Sequence, residues 1–408
     1  MSSSSTAFPI GPITADEHPA FERTTALAFS ESLSDEQIAN YGSIIDLDRT
    51  LAARDGDLIV GTAIDLAFTL MLPYSLAVPC AGVTSVGVRP THRRRGVLAS
   101  LMRRQLDDFR DRGETWAALY ASESTIYGRF GYGLASRSID IAIDRQWTAL
   151  ERPLAPATVE LVDAAEARRR LPAIYEAVRG ETPGMLSRPE ELWRQRVEWD
   201  PESDRGGASE RYLAVIGDSA YAMYRVKKDW RDADPTSTVR VEELLATDAD
   251  TGRQLWDYLF GIDLMSQISA KQRPIDDLLP WWLVHRDRLR ISESAAFFAR
   301  LVDVGGALSQ RGTRAAASVV VDVIDGFCPW NTRRWHLEGD GHTLRCTETH
   351  DSADVRMDAR ELASLSLGGV SATQLQRAGL IEEDTAGAAG CLDALLATDR
   401  PPWNPFIF

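Results

Sequence analysis

Hydrophobic and polar positions along this chain switch between a strand period and a helix period, most clearly from Val83 to Gly133. Val83-Thr-Ser-Val-Gly-Val88 is a short β-branched run closed by Pro90, which predicts a strand leaving a sheet. After the basic turn Thr91-His-Arg-Arg-Arg-Gly-Val97, apolar residues at Leu98, Leu101, Met102, Leu106 and Phe109 line one helix face, with Gly113 as its stop. Trp116–Ala121 is a continuous apolar run suited to a buried parallel strand. The glycine-aromatic run Ile126–Gly133 follows and reads as a hairpin. Upstream, Ile10–Thr50 is mainly helical, with Phe21, Thr25, Leu27, Ala28 and Phe29 on a buried side and Ser34–Gln37 as a capped second start. Leu58–Leu66 and Thr69–Val78 read as two strands joined by a short connection.

Pro153 and Pro156 mark a linker. Beyond it, helical stretches at 164–179 and 190–197 precede strands at 211–216 and 220–226. Strand 239–247 and helix 252–259 then repeat the strand–turn–helix plan, but the intervening turn holds Asp248 and Asp250 where the first holds arginines. From about Arg290 the composition shifts toward Ala, Gly, Val and Leu. Strand 318–325, an antiparallel meander over 332–337 and 343–348, and helices after Leu362 and over 390–396 are expected there. The Trp281-Trp282 pair suits either a core or a subunit contact.

A chain of 408 residues exceeds one ordinary core, so two or three domains are expected. With 44% hydrophobic and 26% charged residues it has the balance of a globular protein, and no apolar run is long enough to span a bilayer. The start, Met1-Ser-Ser-Ser-Ser-Thr6, is polar and carries no signal-peptide apolar region, so a cytoplasmic location without membrane contact is expected. Four cysteines without CxxC spacing imply a reducing compartment, and the Cys346/His350 pair is too small a ligand set for a metal. Net charge −15, from 60 acidic and 45 basic residues, argues against nucleic acid and favours a cationic partner.

Against that acidic background the cluster Arg93-Arg94-Arg95 stands out. Three arginines, a glycine loop and a helix N-terminus together suit an anion, a phosphate above all. Arg93-x-x-Gly96-x-Leu98, followed about thirty residues on by Ala121-Ser122-Glu123 and Ile126-Tyr-Gly-Arg-Phe-Gly-Tyr-Gly133, resembles the Eis branch of the GNAT acetyltransferases. Leu98 departs from the small residue usual at the end of the first motif. The resemblance extends to the C-terminus.

The resemblance implies a fold of mixed α/β and α+β class: two GNAT-like domains, the second degenerate, and a C-terminal sterol-carrier-protein-like α+β domain. The boundaries expected are 1–150, 151–290 and 291–408. It implies acetyl-CoA as cosubstrate and no metal, with the pyrophosphate on Arg94, Arg95, Gly96, Val97, Leu98 and Ala99, and the pantetheine arm along Val86, Gly87 and Val88 between splayed strands. Ser122 and Glu123 would border the thioester. Tyr127 would be the acid that protonates the departing thiolate, the Phe408 carboxylate the proton acceptor, and Glu31 an acceptor-binding residue. The aromatic, proline-braced end Pro401–Phe408 would thread back to the first domain. Carboxylates at 248 and 250 would repel a pyrophosphate, leaving the second domain to wall the acceptor site. The implied activity is direct N-acetylation of a bulky, cationic amine (aminoglycoside-like, polyamine or lysine) by a homohexamer. Ile407 stands where aminoglycoside-acetylating members can carry an acid. The competing reading is a non-catalytic acyl-CoA sensor or lipid-binding protein.

Overall fold

A computed structural model of the chain describes residues 8–152, 155, 157–231 and 234–408. The polar start Met1–Thr6 and the linker prolines Pro153 and Pro156 lie outside the described residues. The chain divides into two compact units: residues up to Ser136 with Phe297–Thr398 and Ile407–Phe408, and Arg137–Ala296 with Asp399–Phe406. Among the described residues, no helix is long and apolar enough to cross a membrane.

The first unit is built on a seven-stranded sheet in the order Ile10–Gly11, Thr50–Asp55, Leu58–Met71, Ala77–Val88, Trp116–Tyr120, Phe297–Leu301, Gly133–Leu134. Every pairing is antiparallel except that of Ala77–Val88 with Trp116–Tyr120. The helix Val97–Asp111 makes that parallel crossover, as its spacing predicts, and buries Leu101, Met102, Leu106 and Phe109 completely. Its core partners include Ala81, Val83, Ala117, Leu119 and Tyr127.

Three local expectations are corrected. Thr69 does not open a second strand: Leu58–Met71 runs unbroken because Phe68 and Leu70 keep the alternation into the core. The chain reverses instead at Pro73 and Tyr74, the latter at φ 53°. The Ile126–Gly133 run is no hairpin but a helical turn, Ser124–Tyr127, then a 3-10 turn, Gly128–Phe130, ended by Gly131 at φ 82°. The strand edge a hairpin would need beside Trp116–Tyr120 is taken by Phe297–Leu301. In helix His18–Ala28, Phe21 and Thr25 are buried, whereas Leu27 and Phe29 at its end are exposed.

The same unit holds a five-stranded sheet ordered Leu344–Thr349, Arg333–Asp340, Ala316–Ile324, Val355–Asp358, Glu382–Glu383. The expected meander forms its antiparallel half, and Val355–Asp358 joins Ala316–Ile324 in parallel.

The second unit repeats the plan of the first. Its sheet runs Arg290–Ala295, Arg137–Asp144, Met265–Pro274, Ser237–Ala246, Ala220–Lys227, Tyr212–Ile216, Glu160–Leu161, with one parallel pair joined through helix Ala249–Phe260. Leu255, Trp256 and Leu259 fill one face of this sheet, and helices Ala164–Arg179 and Glu190–Glu198 supply Leu171, Tyr175 and Trp193 to a second core with Met223 and Leu245. The two tryptophans separate: Trp282 packs on the core and Trp281 is exposed.

Candidate active site

The site begins where two parallel strands part. Ala77–Val88 and Trp116–Tyr120 are in register from Cys80↔Trp116 to Val83↔Leu119, and no further. The first strand continues to Val88, held only on its other side by Leu58–Met71. There the register passes from Ile64↔Thr84 to Thr62↔Gly87, so Ser85 and Val86 stand opposite Ala63 as a bulge. Ser85 takes φ 53°, and its carbonyl accepts a hydrogen bond from Thr62 Oγ1 at 2.9 Å. Among the described residues no strand pairs with residues 84–88 on the side away from Leu58–Met71, and an open strand edge suits an extended ligand.

The basic turn follows. Arg93 is extended, Arg94 takes φ 62° and Gly96 φ 84°, and the helix starts at Val97. Alternation into the left-handed region gathers successive N–H groups into a concavity. Gly96 gives the helix no side-chain cap, so the N–H groups of its first turn are left for a ligand. Arg93 donates to the Ala28 carbonyl at 2.9 Å, tying the turn to helix His18–Ala28. That helix ends in a Schellman motif, with Ser30 at φ 61°, Ser30 N donating to Leu27 O and Glu31 N to Ala26 O.

These elements frame a cavity of about 630 Å³. It brings together Val86, Gly87, Val88, Arg94, Gly96, Val97, Leu98, Ala99, Ser122, Glu123 and Tyr127. It does not take in Arg95, whose guanidinium lies 4.8 Å from the Phe8 ring and 3.9 Å from Asp55. Glu31 is exposed and follows two residues, Phe29 and Ser30, that do line the cavity. Sequence reasoning missed Phe29, Ser30, Arg129 and Phe130 as lining residues. The aromatic run pointed to the last two, and the resemblance pointed to the segment of Phe29 and Ser30 only through Glu31; the two arrive through the packing of a distant helix.

Tyr127 ends its helical turn buried against Ala81, Val83 and Leu119. Burial pushes its hydroxyl up to about 12, so it keeps its proton at any working pH. Among the described residues no protein group hydrogen-bonds that hydroxyl, and unlike Tyr132 it is not sealed off. The surrounding glycines are set by close approach: a Cβ at Gly128 would meet the Arg360 side chain at 3.1 Å, and one at Gly133 would collide with the Arg360 carbonyl. Phe408 lies on the opposite face of the sheet, its ring edge-on to Phe68 (5.0 Å) and Tyr120 (5.5 Å), above Gly82. Ile407 beside it is exposed.

The equivalent turn of the second unit is closed differently. Asp248 caps helix Ala249–Phe260, accepting from Thr251 N at 2.9 Å, and that backbone hydrogen bond holds its carboxyl below the usual range. A cavity of about 390 Å³ lies there, and the chain's own Arg400, Pro401 and Trp403 line it. Trp403 Nε1 donates to the Gln272 carbonyl at 2.8 Å.

Fold and site define an acetyltransferase architecture, and comparison with known proteins agrees. Models of the acetyltransferase (GNAT) domain match residues 9–135 and 184–301, and a sterol carrier protein domain matches 304–405. An uncharacterized N-acetyltransferase of Streptomyces avermitilis is 40% identical over 377 residues, 90% of this chain and 91% of that protein. The N-acetyltransferase Eis of Mycobacterium tuberculosis is 33% identical over 409 residues, 97% of this chain and 98% of its own. The crystal structure of Eis1 from Mycobacterium abscessus superposes with a TM-score of 0.88 at 32% identity, covering 98% of this chain and 100% of that one. The chain belongs to the Eis-type GNAT N-acetyltransferases.

Proposed function

We propose that this acetyltransferase moves the acetyl group of acetyl-CoA directly onto an amine of a bulky, cationic acceptor: aminoglycoside-like, a polyamine or a lysine side chain. One observation carries the reading: a single cavity collects the uncapped helix N-terminus, the bulged strand and Tyr127. In this reading the N–H groups from Arg94 to Ala99 hold the pyrophosphate, with the Arg94 charge behind them. Backbone groups of Val86 to Val88 pair with the pantetheine arm, and an N–H near Val86 steadies the oxyanion as the amine adds. Ser122 and Glu123 border the thioester. The new C–N bond replaces C–S; Tyr127 protonates the leaving sulfur, and the amine's proton goes to the Phe408 carboxylate. A free α-carboxyl titrates at about 3.5, so the Phe408 site must raise its basicity or relay the proton through water. Glu31 holds a second charge of the acceptor.

We read residues 1–150 as the catalytic domain, 151–290 as a GNAT-like domain that no longer holds CoA, and 291–408 as the carrier-like domain ending in the functional tail. The Asp248 carboxylate at the second helix N-terminus supports the loss, because it occupies the N–H groups a phosphate would need. The working assembly in this reading is a cytoplasmic homohexamer, which light scattering checks.

The test follows CoA thiol release against a panel of amines, with Tyr127→Phe alongside. The expected result is turnover on multi-amine acceptors, with kcat falling about 10²–10⁴-fold in the variant while acetyl-CoA affinity holds. Acetyl-CoA binding without turnover on any amine would overturn the reading.

A further inference from the structure

We infer that Arg300 is a positioning residue for Tyr127, holding the turn that carries it from behind. The inference rests on the reading of Tyr127 as the acid. Arg300 lies on strand Phe297–Leu301, whose Ala299 pairs with Gly133, and its side chain is fully buried. Its Nη2 donates to Asp325 Oδ2 at 2.6 Å. Asp325 is itself fixed: Asn331 Nδ2 donates to Oδ2 at 3.0 Å, and the backbone N–H groups of Phe327 and Cys328 donate to Oδ1 at 3.2 and 2.8 Å.

The other edge of the guanidinium is the telling one. Nε and Nη1 have no hydrogen-bond partner although they are buried. Those atoms face Gly131: a Cβ there would lie 3.0 Å from Nε and overlap Nη1 and Cζ. A buried arginine kept only to pair with a carboxylate would use both arms of its fork. This one gives a single arm to the carboxylate, lies beside the Cys328 thiol, and sets its flat edge against the backbone of a left-handed glycine. The motion of Gly131 is shared with Tyr127, because Gly131 N donates to Gly128 O (3.0 Å) and Tyr132 N to Tyr127 O (3.3 Å). The rings of Tyr127 and Tyr132 also meet edge-on at 6.1 Å.

The experiment compares Arg300→Lys, Tyr127→Phe and the double variant in the full-length enzyme, reading kcat, acetyl-CoA Kd and Tm. Lysine keeps the charge facing Asp325 but lacks the rigid plane. Arg300→Lys is expected to lower kcat about 10- to 100-fold, the scale of a misplaced reacting group. Acetyl-CoA Kd should hold, and the Tyr127→Phe background should show no further loss. A folded Arg300→Lys enzyme with unchanged kcat, or a loss that persists in full beside Tyr127→Phe, overturns the inference. If Tyr127→Phe alone leaves kcat intact, the reading of Tyr127 falls and this inference with it. Should Arg300→Lys fail to fold, Asn331→Ser loosens Asp325 while leaving the ion pair in place. A kcat loss there that vanishes in the Tyr127→Phe background supports the inference, and an unchanged kcat or a fully additive loss overturns it.

Discussion

Replacing Arg188 by methionine tests how the second unit is held together. Arg188 donates to both carboxylate oxygens of Glu243, at 3.0 and 2.8 Å, and the two side chains are 1% and 0% exposed. The Tyr221 hydroxyl also donates to Glu243. The guanidinium sits 4.4 to 4.6 Å from the rings of Tyr175, Trp193 and Phe406, so the cation is boxed by aromatic faces as well as paired. Burial works to raise the Glu243 carboxyl, but the Arg188 charge and its hydrogen bonds overcome this and hold it below the usual range. In Arg188→Met that carboxylate keeps its burial and loses its main partner, a loss of about 3–5 kcal/mol. At about 2–4 °C per kcal/mol for a unit of this size, Tm should fall on the order of 10 °C by calorimetry.

The pH dependence gives the sign. In the native protein the depressed Glu243 contributes stability that is present above the unfolded carboxyl range and is lost as pH falls through its folded value. In the variant the folded carboxyl is raised, so the deficit should be largest near neutral pH and shrink in acid. Adding Glu243→Leu should recover most of the loss, because it removes the stranded charge. A deficit under about 1 kcal/mol at pH 7, or a double variant no better than the single, would refute the reasoning.

Three further outcomes are expected. Gly133→Ala should destabilise the first unit by about 1–3 kcal/mol or more in denaturant titrations, since its Cβ would press on the Arg360 carbonyl and Ser364, which are helix backbone and cannot swing aside. Burial raises Glu22 to about 7, so the Glu22 contribution to native stability should be lost as pH climbs from about 4.5 to 7, while its neighbour His18, lowered by its own burial, works in the opposite direction below 6.5. Glu22→Gln should therefore be the more stable protein above pH 7, with the advantage vanishing below pH 4.5, as read from Tm against pH. Ile407→Glu places a charge at an exposed position beside Phe408 and should raise kcat/KM for a multi-amine acceptor relative to a monoamine, with a gain that fades in salt.

Local chemistry made much of this protein legible. The spacing Leu98, Leu101, Met102, Leu106, Phe109 gives a helix because those positions share one face, and the structure buries the last four of them to the limit. Pro90 ends its strand and Ser34 caps its helix for reasons contained within a few residues. The arginine–glycine turn and the carboxylates at Asp248 and Asp250 also declared themselves, because the charge and φ preference of a turn are properties of its own residues.

What stayed hidden depends on partners distant in sequence. The sequence pattern marks Arg95 as readily as Arg94, yet only the tertiary structure turns one to the cavity and the other to Phe8 and Asp55. The run Ile126–Gly133 reads as a hairpin in isolation; strand Phe297–Leu301 takes the edge that a hairpin would need. The contacts of Arg360, Arg300 and Ser364 that require its glycines to lack a Cβ are invisible in the run itself. Helix periodicity, charge and turn type are fixed by neighbours along the chain. Which strand edge is free, which arginine faces the cavity and which glycine must lack a Cβ are fixed by residues far away along the chain, and only the folded packing brings those together.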